Sequence, residues 1–286
     1  MTKQGPVLAA TTMDAGSDSA LREAAARARS GNVGLHVCHI LPEIYGHHPL
    51  FPQLRDLESD HFEQIREAVE SAIRKQLERV LDKDQQVQIH LEAGSPHAEI
   101  LRLAEQIEPS LIVVGAAANK AGGVAERVVR YAPCPVLVAV RHSGKVVLAA
   151  TDFSDPALPA AHAAVEEARR RRKPCYVLHS VDLMTVPNMP GMTGFPISGR
   201  IMDTVRADAR KRLEQIGARL GAAVETVLSE GPASEAILRK ADELDADLIV
   251  LGTHGRSGLR RLALGSVAEI VLRQSRCSVL VVRLAS

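Results

Sequence analysis

Short apolar runs alternate with longer amphipathic segments along this 286-residue chain. In the second half, uninterrupted runs of Val, Leu, Ile and Ala predict strands, and the segments between them, rich in Ala and in charge, predict helices. The predicted strands are 146–151, 175–181, 225–228, 247–251 and 278–283, and the predicted helices are about 156–172, 200–220, 233–244 and one that begins at Ser266. Continuous apolar strands that alternate with helices are typical of a parallel sheet buried on both faces. We therefore expect an α/β fold of the doubly wound, Rossmann-like kind.

The two halves of the chain repeat each other. The matching segments are 7–11 with 147–151, 35–39 with 175–179, 110–115 with 247–252, and 136–138 with 279–281. A repeat of this length indicates two homologous copies of about 140 residues. We place the domains at 1–141 and 144–286, each a mainly parallel five-stranded sheet flanked by helices, with a join near 141–144 that is too short to act as a flexible tether.

Composition excludes several classes of function. Lys and Arg total 35 and Asp and Glu total 34, so the formal charge is +1 and a strong hold on nucleic acid or on an anionic membrane is not expected. Aromatic residues make up 2% of the chain and Trp is absent, which removes the stacking platforms of single-strand binders. No apolar run approaches the roughly 18 residues of a membrane helix, and the N-terminus has no export pattern. We expect a cytoplasmic protein.

Neither the cysteines nor the histidines form a metal motif. The four cysteines, at 38, 134, 175 and 277, include no CxxC pair, so we interpret them as small hydrophobic residues in a reducing compartment. His47 and His48 lie in a loop that contains Pro and Gly, and they are interpreted as solvated loop histidines. A divalent metal site that they form with His61 is the alternative, and no metal site is assigned. His39 matches His179 in the repeat, which suits a shared structural role.

The basic run 169–173 has two interpretations. It stands at a predicted helix end, where cations complement the helix dipole, so a solvated helix end is the favoured one. A docking patch for an acidic partner is the alternative.

One loop of the second copy carries the chemistry. Residues 252–266 read GxxG, nine residues, then Gly-Ser at the start of a helix. Glycines allow the backbone to approach a phosphate closely, and the helix N-terminus adds N–H donors and the positive end of a dipole. Residues 266–269 also fit a capping box, with Ser266 as N-cap and Glu269 as its partner. Ser266 could cap the helix and contact a phosphate at the same time, so the two interpretations are compatible.

This loop, together with Thr151-Asp152-Phe153-Ser154 after the first strand, resembles the universal stress protein family in its tandem two-domain form. The resemblance covers nearly the whole chain, and residues 252–266 match the signature of the ATP-binding branch. It implies that Asp152 and the backbone near Ser180 and Val181 face adenine and ribose, and that the loop surrounds the phosphates. The alternative for Asp152 is an N-cap of the next helix. The implied nucleotide contacts are Ala150, Thr151, Asp152, Ser180, Val181, Gly252, Thr253, His254, Gly255, Arg256, Gly265, Ser266 and Val267.

The first copy departs from this pattern. Thr12 stands in place of Asp152, Ala118 in place of the second glycine of GxxG, and Gly123 in place of Ser266. The loop is also six residues shorter, because the offset between the copies rises from 137 to 143 across it. We expect that this degenerate copy does not bind ATP in the same way. The segment that follows its first strand, 14–19, is interpreted as a capped helix start and not as a pyrophosphatase loop.

The function expected from these features is that of an ATP-binding universal stress protein, a nucleotide-dependent regulator or adaptor in the stress response, with ATP and Mg²⁺ in the second copy. A slow ATPase and a nucleotide-independent adaptor with relic sites are the alternatives. No catalytic residue is assigned and efficient turnover is not expected, because the loop contains no carboxylate to position a water. The resemblance also implies pairing of the edge strands 136–140 and 279–283, either within one chain or in a homodimer, and protein partners are unknown.

Overall fold

The computed structural model describes residues 5–42, 55–116, 122–154, 157–182, 199–221, 223–253 and 264–283, with the side chains of the two long helices described from Glu63 and from Met202 onward. The chain divides into two compact units, Met1–Arg141 and His142–Ser286. Both have the α/β architecture that the alternating pattern predicts. Within the described ranges, each unit has a five-stranded parallel sheet with flanking helices.

The described residues of the first unit form nine helices and strands. In chain order these are β1 (Val7–Ala10), α1 (Ala15–Gly31), β2 (Leu35–Leu41), α2 (Arg55–Val80), β3 (Val87–Ala93), α3 (Pro96–Ile107), β4 (Leu111–Gly115), α4 (Gly123–Tyr131) and β5 (Val136–Ala139). Its strands are ordered β3-β2-β1-β4-β5 and all pair in parallel. Strand order reverses between β1 and β4, which is where ligands bind in open α/β sheets.

The second unit repeats the same order. Its elements are β6 (Val146–Ala150), α5 (Leu158–Arg171), β7 (Cys175–Val181), α6 (Gly199–Leu220), β8 (Val224–Glu230), α7 (Ala233–Glu243), β9 (Ala246–Gly252), α8 (Ser266–Gln274) and β10 (Ser278–Val282). The strands are ordered β8-β7-β6-β9-β10, again in parallel, with the switch point between β6 and β9.

Burial explains why these segments form strands. The side chains of Leu148, Val177 and Ile249, each from a different strand, are fully buried, as continuous apolar runs predict. The strand β8 is longer than predicted, because Ser229 and Glu230 continue the pairing with β7 although they are polar. An edge strand tolerates such residues, and the apolar pattern therefore ends before the strand does.

The start of α1 confirms a capped helix. The Asp14 carboxylate accepts a hydrogen bond from the Ser17 N–H at 2.8 Å, and the Ser17 hydroxyl accepts one from the Asp14 N–H at 3.1 Å, which completes a capping box. The hydrogen bond from Ser17 lowers the pKa of Asp14. This helix terminus therefore satisfies its own donors.

All four cysteines are free thiols. Cys38, Cys175 and Cys277 are buried, as expected, whereas Cys134 is half-buried. Burial raises the pKa of Cys38 to about 12 and those of Cys175 and Cys277 to about 11. No helix within the described ranges is long and apolar enough to cross a membrane.

Candidate functional site

The carboxyl ends of three neighbouring strands bring the predicted site residues of the second unit to one edge. Ala150 is the last residue of β6, Ser180 and Val181 end β7, and Gly252 ends β9. Because β6 pairs with both β7 and β9, these ends lie side by side at the switch point. The sheet therefore juxtaposes the predicted contacts that strands carry.

A tight turn follows β6. The buried Thr151 accepts a hydrogen bond at its hydroxyl from the Phe153 N–H at 3.1 Å, and Phe153 has a φ of +66°. The carboxylate of Asp152 accepts a hydrogen bond from the Ser154 N–H at 3.0 Å. The alternative of Asp152 as a helix N-cap is wrong, because α5 begins at Leu158 and its N-cap is Ala157. Asp152 instead closes the turn over its own backbone.

His179 holds this turn in place. Its Nδ1 donates a hydrogen bond to the Thr151 carbonyl at 2.8 Å, and its ring lies 3.9 Å from the ring of Phe153, centroid to centroid. In the first unit, His39 Nδ1 makes the same 2.8 Å hydrogen bond to the Thr11 carbonyl. The shared structural role predicted from the repeat is confirmed.

The end of β7 is tied to the turn after β8. The Ser180 hydroxyl donates to the Gly231 carbonyl at 2.7 Å, and the Gly231 N–H donates to the Val181 carbonyl at 3.1 Å. The Ser180 side chain is therefore engaged within the protein. The Val181 carbonyl retains one lone pair.

The phosphate-binding candidate loop is closed at its base. Thr253 is buried, its N–H donates to the Val282 carbonyl at 3.1 Å, and its carbonyl accepts from the Gly265 N–H at 2.9 Å. These two hydrogen bonds hold both ends of the loop against the sheet. The predicted contacts His254, Gly255 and Arg256 lie outside the described residues.

The N-terminus of α8 has no side-chain cap from the part of the chain that the structure describes. The helix begins at Ser266, as predicted, but the N-cap is Gly265, so the predicted capping box with Ser266 as N-cap is wrong. The N-cap lies one residue earlier than predicted, because the Gly265 carbonyl already accepts the first helical hydrogen bond, from the Glu269 N–H. A glycine cap contributes no acceptor, and no described side chain replaces it. The first-turn N–H groups, including those of Ser266 and Val267, therefore remain available to an anion.

Gly265 stands where a side chain would crowd the loop. A Cβ at this position would lie 3.2 Å from the Thr253 carbonyl oxygen, the acceptor that closes the loop. Glycine thus allows the tight approach of the helix start to the end of β9. The donor set, which combines backbone N–H groups, a hydroxyl and a helix N-terminus, suits the phosphates of a nucleotide.

The corresponding region of the first unit is built differently. Thr11 begins the same kind of turn, in which Met13 has a φ of +63°. Thr12, however, stands where the second unit has the carboxylate of Asp152. The helix α4 begins at Gly123 with Gly122 as N-cap, so no hydroxyl stands at its start. Ala118 lies outside the described residues. A cavity of about 260 Å³ lies at this edge, and apolar side chains including Ile40, Ile100 and Val114 contribute to its lining.

A buried polar network of the first unit is a feature that the motifs do not reveal. The Thr11 hydroxyl donates to Gln76 Oε1 at 2.7 Å, and Gln76 Nε2 donates to the buried Asp18 carboxylate at 2.6 Å. Arg79 donates two further hydrogen bonds to Asp18, at 2.7 and 3.0 Å. Burial by itself would raise the pKa of Asp18, but the hydrogen bonds of Arg79 and Gln76 outweigh it and lower the pKa. In the sequence, the network is visible only when the two copies are compared. The second copy has the apolar residues Leu158 and Ile216 at the positions of Asp18 and Gln76, so the polar residues of the first copy stand out.

The structure supports no metal centre among the residues it describes. No group of three potential ligand side chains occurs in that part of the chain. The side chains of His47, His48 and His61 lie outside it. His36 and His90 form a pair on β2 and β3, with 2.8 Å between Nδ1 and Nε2 and stacked rings.

These features define a class: a tandem α/β protein with parallel sheets, in which one copy carries a glycine-bounded loop that leads into an uncapped helix start. The model of the universal stress protein family matches residues 5–141 and again residues 144–283. The chain therefore belongs to the universal stress protein family, with two copies of the family domain.

Two similar proteins match this chain over nearly its full length, and a third matches about half of it. Universal stress protein Rv2005c of Mycobacterium tuberculosis is 27% identical over 292 residues, which cover 93% of each chain. The crystal structure of a universal stress protein from Archaeoglobus fulgidus is similar with a TM-score of 0.65 and 21% identity, over 99% of this chain and 97% of that chain. A universal stress protein solved in complex with cAMP is 26% identical, over 49% of this chain and 98% of that chain, with a TM-score of 0.33.

Proposed function

We propose that the second unit binds ATP at the carboxyl ends of β6, β7 and β9, and that its occupancy regulates the protein in a stress response. The observation that carries this proposal is the start of α8, whose first-turn N–H groups receive no cap from any described side chain and adjoin a loop whose ends are joined by the hydrogen bond between Thr253 and Gly265. An anion at this point would take the place of the missing cap.

The residues around this point fit the parts of the nucleotide. The Ser266 hydroxyl and the N–H groups of Ser266 and Val267 would hold phosphate oxygens, and Mg²⁺ would balance the remaining charge. The Asp152 carboxylate, held by Ser154, would accept a hydrogen bond from a ribose hydroxyl or an exocyclic amine. The Val181 carbonyl offers a further acceptor near the base.

The first unit is proposed not to bind ATP in this way. Gly123 supplies no hydroxyl at the start of α4, and Thr12 supplies no carboxylate at the turn. The cavity at this edge has largely apolar walls, which do not compensate a triphosphate. The two units would then differ in function although they share a fold.

Binding of this kind gives a physical route to regulation. A ligand that binds only the folded state stabilises it by RT ln(1 + [L]/Kd), or about 2.7 kcal/mol at a hundredfold excess over Kd. A nucleotide bound at the carboxyl ends of β6, β7 and β9 would also form part of the surface at that end of the sheet. Nucleotide occupancy would therefore change both stability and the surface that a partner meets.

The test is mass spectrometry of nucleotide released from protein purified without added ATP. The variant is Gly265→Ala/Ser266→Ala, which removes the hydroxyl and places a Cβ 3.2 Å from the Thr253 carbonyl. The matched control is Gly122→Ala/Gly123→Ala in the first unit, where an added Cβ meets no atom within 4 Å. Both variants change the same two positions of a helix start.

We expect ATP from the wild type and from the control, and none from the Gly265→Ala/Ser266→Ala variant. ADP in place of ATP would favour slow hydrolysis, which a phosphate-release assay would then measure. If the wild type releases no nucleotide and its Tm does not rise with Mg-ATP, the proposal fails and a nucleotide-independent adaptor becomes the better hypothesis.

A further inference from the structure

A groove of about 390 Å³ lies at the amino ends of β7 and β8, at the opposite end of the strands from the candidate nucleotide site. The end of α5 forms one wall, and the turn from α6 into β8 forms the other. Val165, Ala168, Leu220 and Val224 contribute apolar side chains to it. The volume is within the range of about 300–1,000 Å³ that is typical of small-molecule sites.

The basic run beside this groove is only partly neutralised. Arg171 and Lys173 contact the buried Asp247 at 2.6 and 2.8 Å, and Arg170 contacts the buried Glu167 at 2.7 Å. These three cations are therefore committed to structural ion pairs.

Arg169 and Arg172 are the two cations of the run that remain. Both are exposed, both line the groove, and neither has a carboxylate partner among the residues that the structure describes. A guanidinium presents paired N–H donors that match a carboxylate or another planar or tetrahedral oxyanion. The groove thus combines an apolar interior with two unneutralised positive charges at its rim.

The fold itself does not require these two arginines. Arg172 adopts a φ of +55°, a left-handed conformation that favours Gly or Asn. The equivalent residue of the first unit is Asn32, which adopts a φ of +49°. The equivalent of Arg169 is Arg29, which pairs with Asp82 at 2.6 Å. The second unit thus has arginines at both positions without a carboxylate partner among the described residues, and one of them stands where asparagine would be the more stable cap.

We propose that this groove binds a small amphipathic anion, a compound with an apolar body and one carboxylate or sulfonate group. The apolar body would pack against Ala168 and Leu220, and the anionic group would accept hydrogen bonds from Arg169 and Arg172. The site is independent of the ATP site, because it lies at the opposite end of the strands.

The test measures binding of 8-anilinonaphthalene-1-sulfonate to the full chain by equilibrium dialysis. The first variant, Arg169→Gln/Arg172→Asn, removes both charges and gives the cap the residue that the first unit uses. The second variant, Ala223→Trp, fills the groove from an exposed position and keeps both arginines. The control, Arg22→Gln/Arg210→Gln, removes the same net charge at exposed positions on α1 and α6.

We expect the Kd of the probe to rise about tenfold or more in both groove variants and to stay within twofold of wild type in the control. The urea midpoint of Arg169→Gln/Arg172→Asn should equal or exceed that of the wild type, since Asn suits a left-handed cap. Wild-type affinity in either groove variant, equal weakening in the control, or the absence of saturable binding to the wild type would each overturn the proposal.

Discussion

The buried carboxylate of Asp247 offers the sharpest test of what stabilises the second unit. Asp247 is 4% exposed, and it accepts hydrogen bonds from Arg171 at 2.6 Å and from the Gly144 N–H at 3.1 Å. Lys173 contacts it at 2.8 Å. The change Asp247→Asn keeps the size of the side chain and an acceptor for Gly144, but it removes the negative charge between two cations.

The expected cost follows from burial and from the partners that remain. Removal of one partner from a buried ion pair costs about 3–5 kcal/mol. We expect about 3 kcal/mol, at the lower end of that range, because Arg171 keeps Glu167 at 3.2 Å and Lys173 is 23% exposed. At about 2–4 °C per kcal/mol for a domain of this size, the Tm of the second unit should fall by roughly 6–12 °C.

The loss should also depend on pH. Burial by itself would raise the pKa of Asp247, but the hydrogen bonds and charges of Lys173 and Arg171 outweigh it and lower the pKa. The stabilisation is therefore fully present above the unfolded-state pKa of about 3.9 and is lost as the pH falls through the lower folded-state value. The difference between wild type and variant should be constant between pH 7 and 5 and should shrink below about pH 4.

Urea unfolding at these pH values measures the difference, with Asp245→Asn as the control. Asp245 is 41% exposed, and its contacts with His142 and Lys145 are 3.3 and 3.4 Å long. An exposed pair of this kind contributes at most about 1 kcal/mol, and its φ of +52° suits Asn. If Asp247→Asn costs no more than Asp245→Asn, the ion pairs of Asp247 do not stabilise the unit and the reasoning is wrong.

Two further predictions concern titratable groups of the first unit. Brief treatment of the native protein with iodoacetamide at pH 8 should modify Cys134 before Cys38, because burial raises the pKa of Cys38 to about 12; peptide mass spectrometry checks the order, and equal rates would contradict it. Burial lowers the pKa of both His36 and His90, so the folded protein takes up protons at this pair less readily than the unfolded chain does. Their contribution to stability should therefore decline as the pH falls below the unfolded-state pKa of about 6.5. Urea midpoints at pH 7.5 and 5.5 should therefore differ less in His36→Gln/His90→Gln than in the wild type, and an unchanged difference would exclude the pair as the cause.

Much of the fold could be predicted from the sequence because both faces of each sheet are covered. A strand buried on both sides is an unbroken apolar run, and β7 therefore begins and ends at the predicted residues Cys175 and Val181. The end of β8 could not be predicted in this way. At Ser229 and Glu230 the backbone pairing continues after the apolar pattern has stopped.

The strand-end part of the candidate site could be predicted for the same reason, whereas the helix caps could not. Asp152 and Ser266 both precede or begin a helix and both have side chains that commonly cap one, so the sequence permits a cap at either position. Which residue is the cap depends on where the first helical hydrogen bond forms. That bond is the one from Glu269 to Gly265, and it leaves the Ser266 hydroxyl outside the cap.

The two units show how one fold can either satisfy its polar groups internally or leave them for a ligand. In the first unit, Asp14 caps α1, and the Thr11 hydroxyl donates into a buried network that ends at Asp18. In the second unit, the Thr151 hydroxyl accepts only the Phe153 N–H of its own turn among the described hydrogen bonds, and α5, the counterpart of α1, starts after Ala157 without a side-chain cap from the described residues. A donor that is already paired within the protein gains little from a ligand, whereas an unpaired one gains the full hydrogen bond. The difference in internal pairing is therefore a physical reason, separate from the loop sequence, for placing the proposed nucleotide in the second unit.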